Sequence, residues 1–123
     1  MSGDSPGYEI RFTEDAALET RKLDGSVRQR FRKTLENKIA VRPDEYGTPL
    51  RAPLEGYWKH EFASHRVVYR IYRERKLVVI CAVGPRKEGD VADIYRKLEA
   101  AEKAGKLAQQ AREALDKYLR GRK

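Results

Sequence analysis

A chain of 123 residues is one domain with room for a modest two-layer core, and its single cysteine, Cys81, excludes an internal disulfide and a Cys/His metal cluster. Lysine and arginine number 27 against 19 acids, giving a formal charge of +8 and a pI near 9.7. Charge of that sign points to a polyanionic partner: nucleic acid first, an acidic protein second, a membrane surface third.

Met1 to Gly7 is polar and rich in Gly, Pro and Ser, which predicts a disordered lead-in and no signal peptide. No apolar stretch approaches the length of a membrane span, so no membrane role is expected and the chain is expected to be cytoplasmic. Tyr8, Ile10 and Phe12 alternate with Glu9 and Arg11, the period of a short strand. Thr13 reads as the N-cap of a helix, with Glu14 and Asp15 in the first turn where the helix dipole favours acids. That helix is expected to run to about Leu23, with Ala16, Thr20 and Leu23 inward, until Asp24-Gly25 breaks it. Ser26 is expected to cap a second helix from Val27 to about Ala40. Val27, Phe31, Leu35 and Ile39 form its apolar stripe; Arg28, Arg30, Arg32 and Lys33 cover the rest as a solvated face able to extend a phosphate-binding surface. Arg42 to Glu55 reads as a loop punctuated by Pro43, Gly47, Pro49 and Pro53.

Three strands follow, on which the rest of the chain is organised. Tyr57 to Phe62 alternates, His65 to Tyr72 alternates, and Leu77 to Val83 is apolar without a break. Ala63-Ser64 joins the first two as a hairpin of two or four loop residues, since neither residue favours positive φ. Either length pairs Glu61 with Arg66, Lys59 with Val68 and Tyr57 with Arg70. Trp58, Phe62, Val67, Tyr69 and Ile71 then point into a core, and Lys59, Glu61, Arg66 and Arg70 lie on the other face. Trp58 and His60 share the inward parity, His65 flanks the turn, and Cys81 sits within VVICAV as a buried structural thiol.

Beyond Glu88-Gly89 the spacing of Val91, Ile94, Leu98 and Ala101 predicts a helix, which Gly105 interrupts. Leu107, Ala111, Leu115 and Leu119 continue a stripe to the basic end. This Ala-rich stripe packs on the domain, pairs with a partner or frays. The order strand, helix, helix, strand, strand, strand, helix predicts an α+β fold: an antiparallel-rich sheet, two helices on one face and the other face exposed.

The string YGTPLRAPLEGYWKHEFASHRVVYRI and the later AVGPRKEGDVADIYRKL, on a βααβββ order, resemble the RelE/ParE superfamily of type II toxin–antitoxin toxins. The resemblance covers Tyr8 to Leu98, and implies a toxin domain over 8–98 with a C-terminal helical extension over 99–123. It implies ribosome-dependent mRNA cleavage (RelE-like) or poisoning of DNA gyrase (ParE-like), with a degenerate member that only binds RNA or an antitoxin as a third possibility, and restraint by an antitoxin with an acidic segment. The RelE-like reading is favoured, with ribosome and mRNA as partners and no cofactor or metal, since a ribose 2′-OH supplies the nucleophile. By the same resemblance Lys59 stabilises charge or acts as base, Arg66 clamps the scissile phosphate, Arg86 is a second phosphate ligand, and Tyr95 stacks on a base or shares a proton. Arg70, Lys87, Arg28 and Arg32 complete the implied RNA-binding set. Three departures bear on activity. Glu61 stands where a base is usual and acts as general base or neutralises Arg66; Pro85 replaces a usual His or Lys; Glu88 to Ala92 looks like an insertion before Tyr95.

Overall fold

The computed structural model describes residues 7–85 and 93–121. The expected disordered lead-in (apart from Gly7), Arg86, Lys87 and the insertion Glu88–Ala92 lie outside them. In chain order the elements are β1 (Glu9–Phe12), α1 (Glu14–Arg21), α2 (Gly25–Thr34), a π turn (Leu35–Ile39), α3 (Pro43–Tyr46) and β2 (Thr48–Pro49). Then come β3 (Tyr57–Phe62), β4 (His65–Tyr72), a 3₁₀ turn (Arg73–Arg75), β5 (Leu77–Pro85), α4 (Asp93–Lys103) and α5 (Lys106–Gly121). One five-stranded sheet runs β1-β5-β4-β3-β2, with β1 parallel to β5 and every other pair antiparallel.

The hairpin register is as the alternation predicts: Tyr57 opposite Arg70, Lys59 opposite Val68, Glu61 opposite Arg66. The loop takes its two-residue form, Phe62 pairing with His65, with Ala63 held at φ 50°. Between β4 and β5 the register slips at Val68/Tyr69: Val68 faces Ala82 while Tyr69 faces Ile80. The extra residue is Cys81, so Cys81 and Ala82 both turn to one face, as a β-bulge requires.

Two hydrophobic clusters sandwich the sheet. On the inner face Ala16 of α1, Leu23 of the α1–α2 link, Phe31 of α2, and Leu35 and Ile39 of the π turn meet Phe62, Val67, Tyr69, Val78 and Ile80. Phe31 stacks on Phe62 at 4.9 Å and meets Phe12 edge-on at 6.4 Å. Thr13 caps α1 by accepting from the Ala16 N–H at 3.1 Å.

Three expectations are corrected. The cap of α2 is Asp24, whose Oδ1 accepts from the Val27 N–H at 3.0 Å and from the Ser26 hydroxyl at 2.9 Å, so the serine two residues on donates to the cap instead of serving as one. The stretch expected as a loop holds α3 and the short edge strand β2. Pro43 supplies the fixed φ of a first helical position with Asp44 and Glu45 behind it, and an edge strand tolerates Pro49. The outer face of the sheet is not exposed. α4 and α5 form a helical hairpin across it, packing Leu98, Leu107, Ala111, Ala114 and Tyr118 against Tyr57, Val68, Leu77, Val79 and Cys81. Three layers result, and the inner strand β5 is buried on both sides, which is why its apolar run never alternates.

Candidate functional site

The β3–β4 hairpin fixes Lys59, Glu61, Arg66 and Arg70 on the outer face, and the C-terminal hairpin closes over them. Arg66 is 5% exposed. Its guanidinium donates to Glu61 Oε2 at 2.8 Å and lies 5.0 Å over the ring of Tyr95, carried by α4. Arg66 Nε and the Tyr95 hydroxyl are both buried and find no partner among the described residues. Burial pushes the Tyr95 hydroxyl pKa up; the nearby guanidinium opposes that rise, and the Glu61 carboxylate adds to it. Tyr95 therefore stays protonated, and a buried donor without an acceptor costs about 1–3 kcal/mol.

Lys59 is half-buried one rung along. With Leu50, Leu54, Tyr95 and Glu99 it lines a groove of about 400 Å³ whose wall is mostly apolar. Arg70 leaves the strip at the far end: its guanidinium is stacked 5.3 Å from Tyr57 and 5.7 Å from Tyr72. Tyr57 is wholly buried, donates to Glu102 of α4 at 3.3 Å, and has its pKa pushed up to about 12 chiefly by burial. The sequence reading missed the Tyr57–Arg70–Tyr72 stack, although the parity that set Tyr57 opposite Arg70 already contained it.

The structure thus brings Lys59, Glu61, Arg66 and Tyr95 together, with Arg70 beside them. Arg28 and Arg32 are exposed on α2, in the layer on the opposite side of the sheet, and do not join this strip. The positions of Arg86 and Lys87 lie outside the described residues. The water-facing basic surface expected of this face is also corrected: Arg66 is sealed beneath α4, because the Ala-rich tail packs on the domain. His65 stacks on Phe62 at 5.7 Å, a turn-packing role, and His60 Nδ1 lies 2.8 Å from the Tyr46 carbonyl. Cys81 is buried and its thiol is pushed up to about 12 by desolvation, as a structural cysteine should be. Among the described residues no group of three His, Cys, Asp or Glu side chains could hold a metal ion, and no helix is long and apolar enough to cross a membrane.

Comparison with known proteins extends this geometry. Residues 10–90 match the model of the family described as the ParE toxin of type II toxin–antitoxin systems, parDE. Toxin RelG of Mycobacterium tuberculosis is 32% identical over 90 residues, covering 73% of this chain and 98% of the relative. The mRNA interferase toxin RelE of Escherichia coli K12 is 30% identical over 94 residues, covering 68% of this chain and 88% of its own length. In the crystal structure of the RelBE2 toxin–antitoxin complex from M. tuberculosis, a chain of 29% identity superposes with a TM-score of 0.63, over 67% of this chain and 94% of that one. The family match ends at residue 90, before α4 and α5 begin.

Proposed function

Because the chain belongs to the RelE/ParE superfamily of type II toxin–antitoxin toxins, we propose that it is an endoribonuclease of the RelE kind, cutting mRNA on the ribosome. The observation that carries this reading is the buried Arg66 guanidinium, whose Nε finds no acceptor among the described residues, facing Tyr95 beside Lys59. A guanidinium kept purely for packing has its N–H groups satisfied; donors left waiting in a basic strip suit the oxygens of a phosphodiester. The 30% identity to a protein named an mRNA interferase supports the same reading.

The chemistry needs no group beyond the RNA and these side chains. A ribose 2′-oxygen attacks the adjacent phosphorus, Glu61 takes its proton, and the 5′-oxygen leaves with a proton from Tyr95. The products are a 2′,3′-cyclic phosphate and a 5′-hydroxyl. Arg66 and Lys59 hold the charge that builds on the non-bridging oxygens, with Arg86 as a further ligand. Arg70 and Lys87 bind backbone phosphates beside the cut, and Arg28 and Arg32 bind ribosomal RNA from the opposite layer. A phosphate reaches Arg66 only when Tyr95 moves off it, so the described arrangement is the closed form of the site.

Residues 8–98 constitute the toxin domain and 99–123 the added extension, acting in the cytoplasm. The partner is a cognate antitoxin whose acidic segment lies on the basic strip; the similar M. tuberculosis chain comes from the crystal structure of a toxin–antitoxin complex. A second reading, inhibition of DNA gyrase, is favoured by two observations: Glu61 at 2.8 Å already balances the Arg66 charge, and Arg66 is sealed beneath α4 rather than facing water. Induction in a host without the antitoxin, followed by 5′-end mapping of transcripts, decides between them. New ends confined to translated frames, absent for Lys59→Ala, support the nuclease; growth arrest with intact transcripts and a DNA-damage response rejects it.

A further inference from the structure

The two outer helices hold to the sheet unequally. α5 buries Leu107, Ala111, Ala114 and Tyr118, and it is tied down near both ends. Near its start the Asp15 N–H donates to Gln110 Oε1 at 3.2 Å, and Lys106 lies 3.9 Å from the Asp15 carboxylate. Near its end the Tyr118 hydroxyl donates to the Arg75 carbonyl at 3.4 Å, and Arg11 lies 5.3 Å over the Tyr118 ring. Among the described side chains of α4, residues 95–103, only Leu98 is fully buried, with Tyr95 and Ala101 packed beside it. Between the helices the chain reverses at Ala104-Gly105, where Gly105 sits at φ 75°, a conformation glycine adopts without steric penalty.

We infer that α5 is a built-in anchor that keeps α4 closed over Arg66, so that the chain itself controls access to its phosphate-gripping strip. The identity of the excluded ligand, an RNA backbone, rests on the nuclease reading; the cover itself does not. Among its described side chains α4 presents one buried leucine to the sheet, with Tyr95 and Ala101 beside it, against the four buried residues of α5. Joined to α5 through a tight turn, it re-closes as an intramolecular event at high effective concentration. α5 lies outside the part of the chain that matches the family model, so this control belongs to the extension.

Two side chains report on the cover without reference to any activity. Arg66 lies beneath α4. Cys81, the only cysteine of the chain, lines a cavity of about 180 Å³ together with Leu98 and Ala101 of α4 and Leu107 of α5. The test uses the full chain and peptide mapping of modified sites, with phenylglyoxal for Arg66 and a thiol-specific alkylating reagent for Cys81. Ala111→Glu places a carboxylate in the α5–sheet contact; Lys106→Ala with Gln110→Ala cuts only the surface ties to α1 and leaves the core untouched. Both variants are expected to speed modification of Arg66 and Cys81 together, at least tenfold for Ala111→Glu and several-fold for the surface pair, with Trp58 fluorescence unchanged. Faster Cys81 with Arg66 still protected, or no change at either site in the surface pair, overturns the inference. A 2′-O-methyl RNA oligonucleotide separates the two claims: tighter binding by the uncovered variants supports the nuclease site. Failure to bind any form, with both side chains uncovered, removes the nuclease reading and leaves the anchor standing.

Discussion

Removing the Glu61 carboxylate strands a charge, and the size of the effect follows from how deeply that charge is sealed. The Arg66 side chain is 6% exposed and the Glu61 side chain 37%, with 2.8 Å between Nη2 and Oε2. Deleting one partner of a fully buried pair costs about 3–5 kcal/mol, because the survivor is left in a poorly solvating interior. A surface pair is worth about 0–1 kcal/mol. With a sealed cation and a half-wet anion, Glu61→Ala is expected to cost about 2 kcal/mol. Unfolding entropy of about 2.1 cal/mol/K per residue turns that into a fall in Tm of roughly 8 °C for a chain of this length. Thermal melts followed by Trp58 fluorescence measure it. Glu61→Ala combined with Arg66→Met removes the stranded charge and is expected to recover most of the loss. A fall of less than about 2 °C for the single variant, or a double variant no better than the single, would mean that water reaches Arg66 and the strip is open.

Lys59→Ala, at a half-buried position outside both clusters, is expected to lower the RNA cleavage rate by about 10²–10³ while moving stability by no more than about 0.5 kcal/mol; single-turnover cleavage and a urea melt read the two separately. Glu19 bears on pH. Its carboxylate accepts from the Val83 N–H at 3.0 Å, but burial outweighs that bond and raises its pKa above 4.5. Its stabilising contribution is therefore complete below pH 4.5 and lost as pH rises through the folded value. Glu19→Gln keeps the acceptor and is expected to flatten the urea midpoint against pH above 4.5, with no loss of stability at pH 7; an unchanged slope would refute this. Gly47→Ala puts a Cβ into the Tyr69 hydroxyl, which donates to the Pro43 carbonyl at 2.6 Å. A loss of about 1–3 kcal/mol is expected by urea denaturation, similar to Tyr69→Phe, which deletes the same buried bond.

The hairpin was legible because its physics is local: a period of two and a short turn leave only one parity for Lys59, Glu61, Arg66 and Arg70. The cover was not, because its signal is split. Ala111 and Ala114 are small, so the stripe of α5 looks too weak to bury anything, yet small residues are what let a helix lie close against a sheet. The decisive clue was in β5. A run such as VVICAV without a polar residue requires both faces of the strand to be covered, so an exposed outer face was inconsistent with it from the start. Asp24 was overlooked as a cap because Asp-Gly reads as a break, and here it is a break and a cap at once. The glycine of YGTPL is visible in any reading, but its cause, the close approach of Tyr69 from two strands away, exists only in three dimensions.

The central claim is that a ribose 2′-oxygen attacks a phosphodiester held by Lys59 and Arg66. Purified protein on ribosomes programmed with a defined message tests it, using a second message with a single 2′-deoxy nucleotide at the site of cleavage. The first message is expected to yield a fragment ending in a 2′,3′-cyclic phosphate, and the second no cut at that site. An intact all-ribose message, with the same preparation blocking supercoiling of DNA by gyrase, would contradict it.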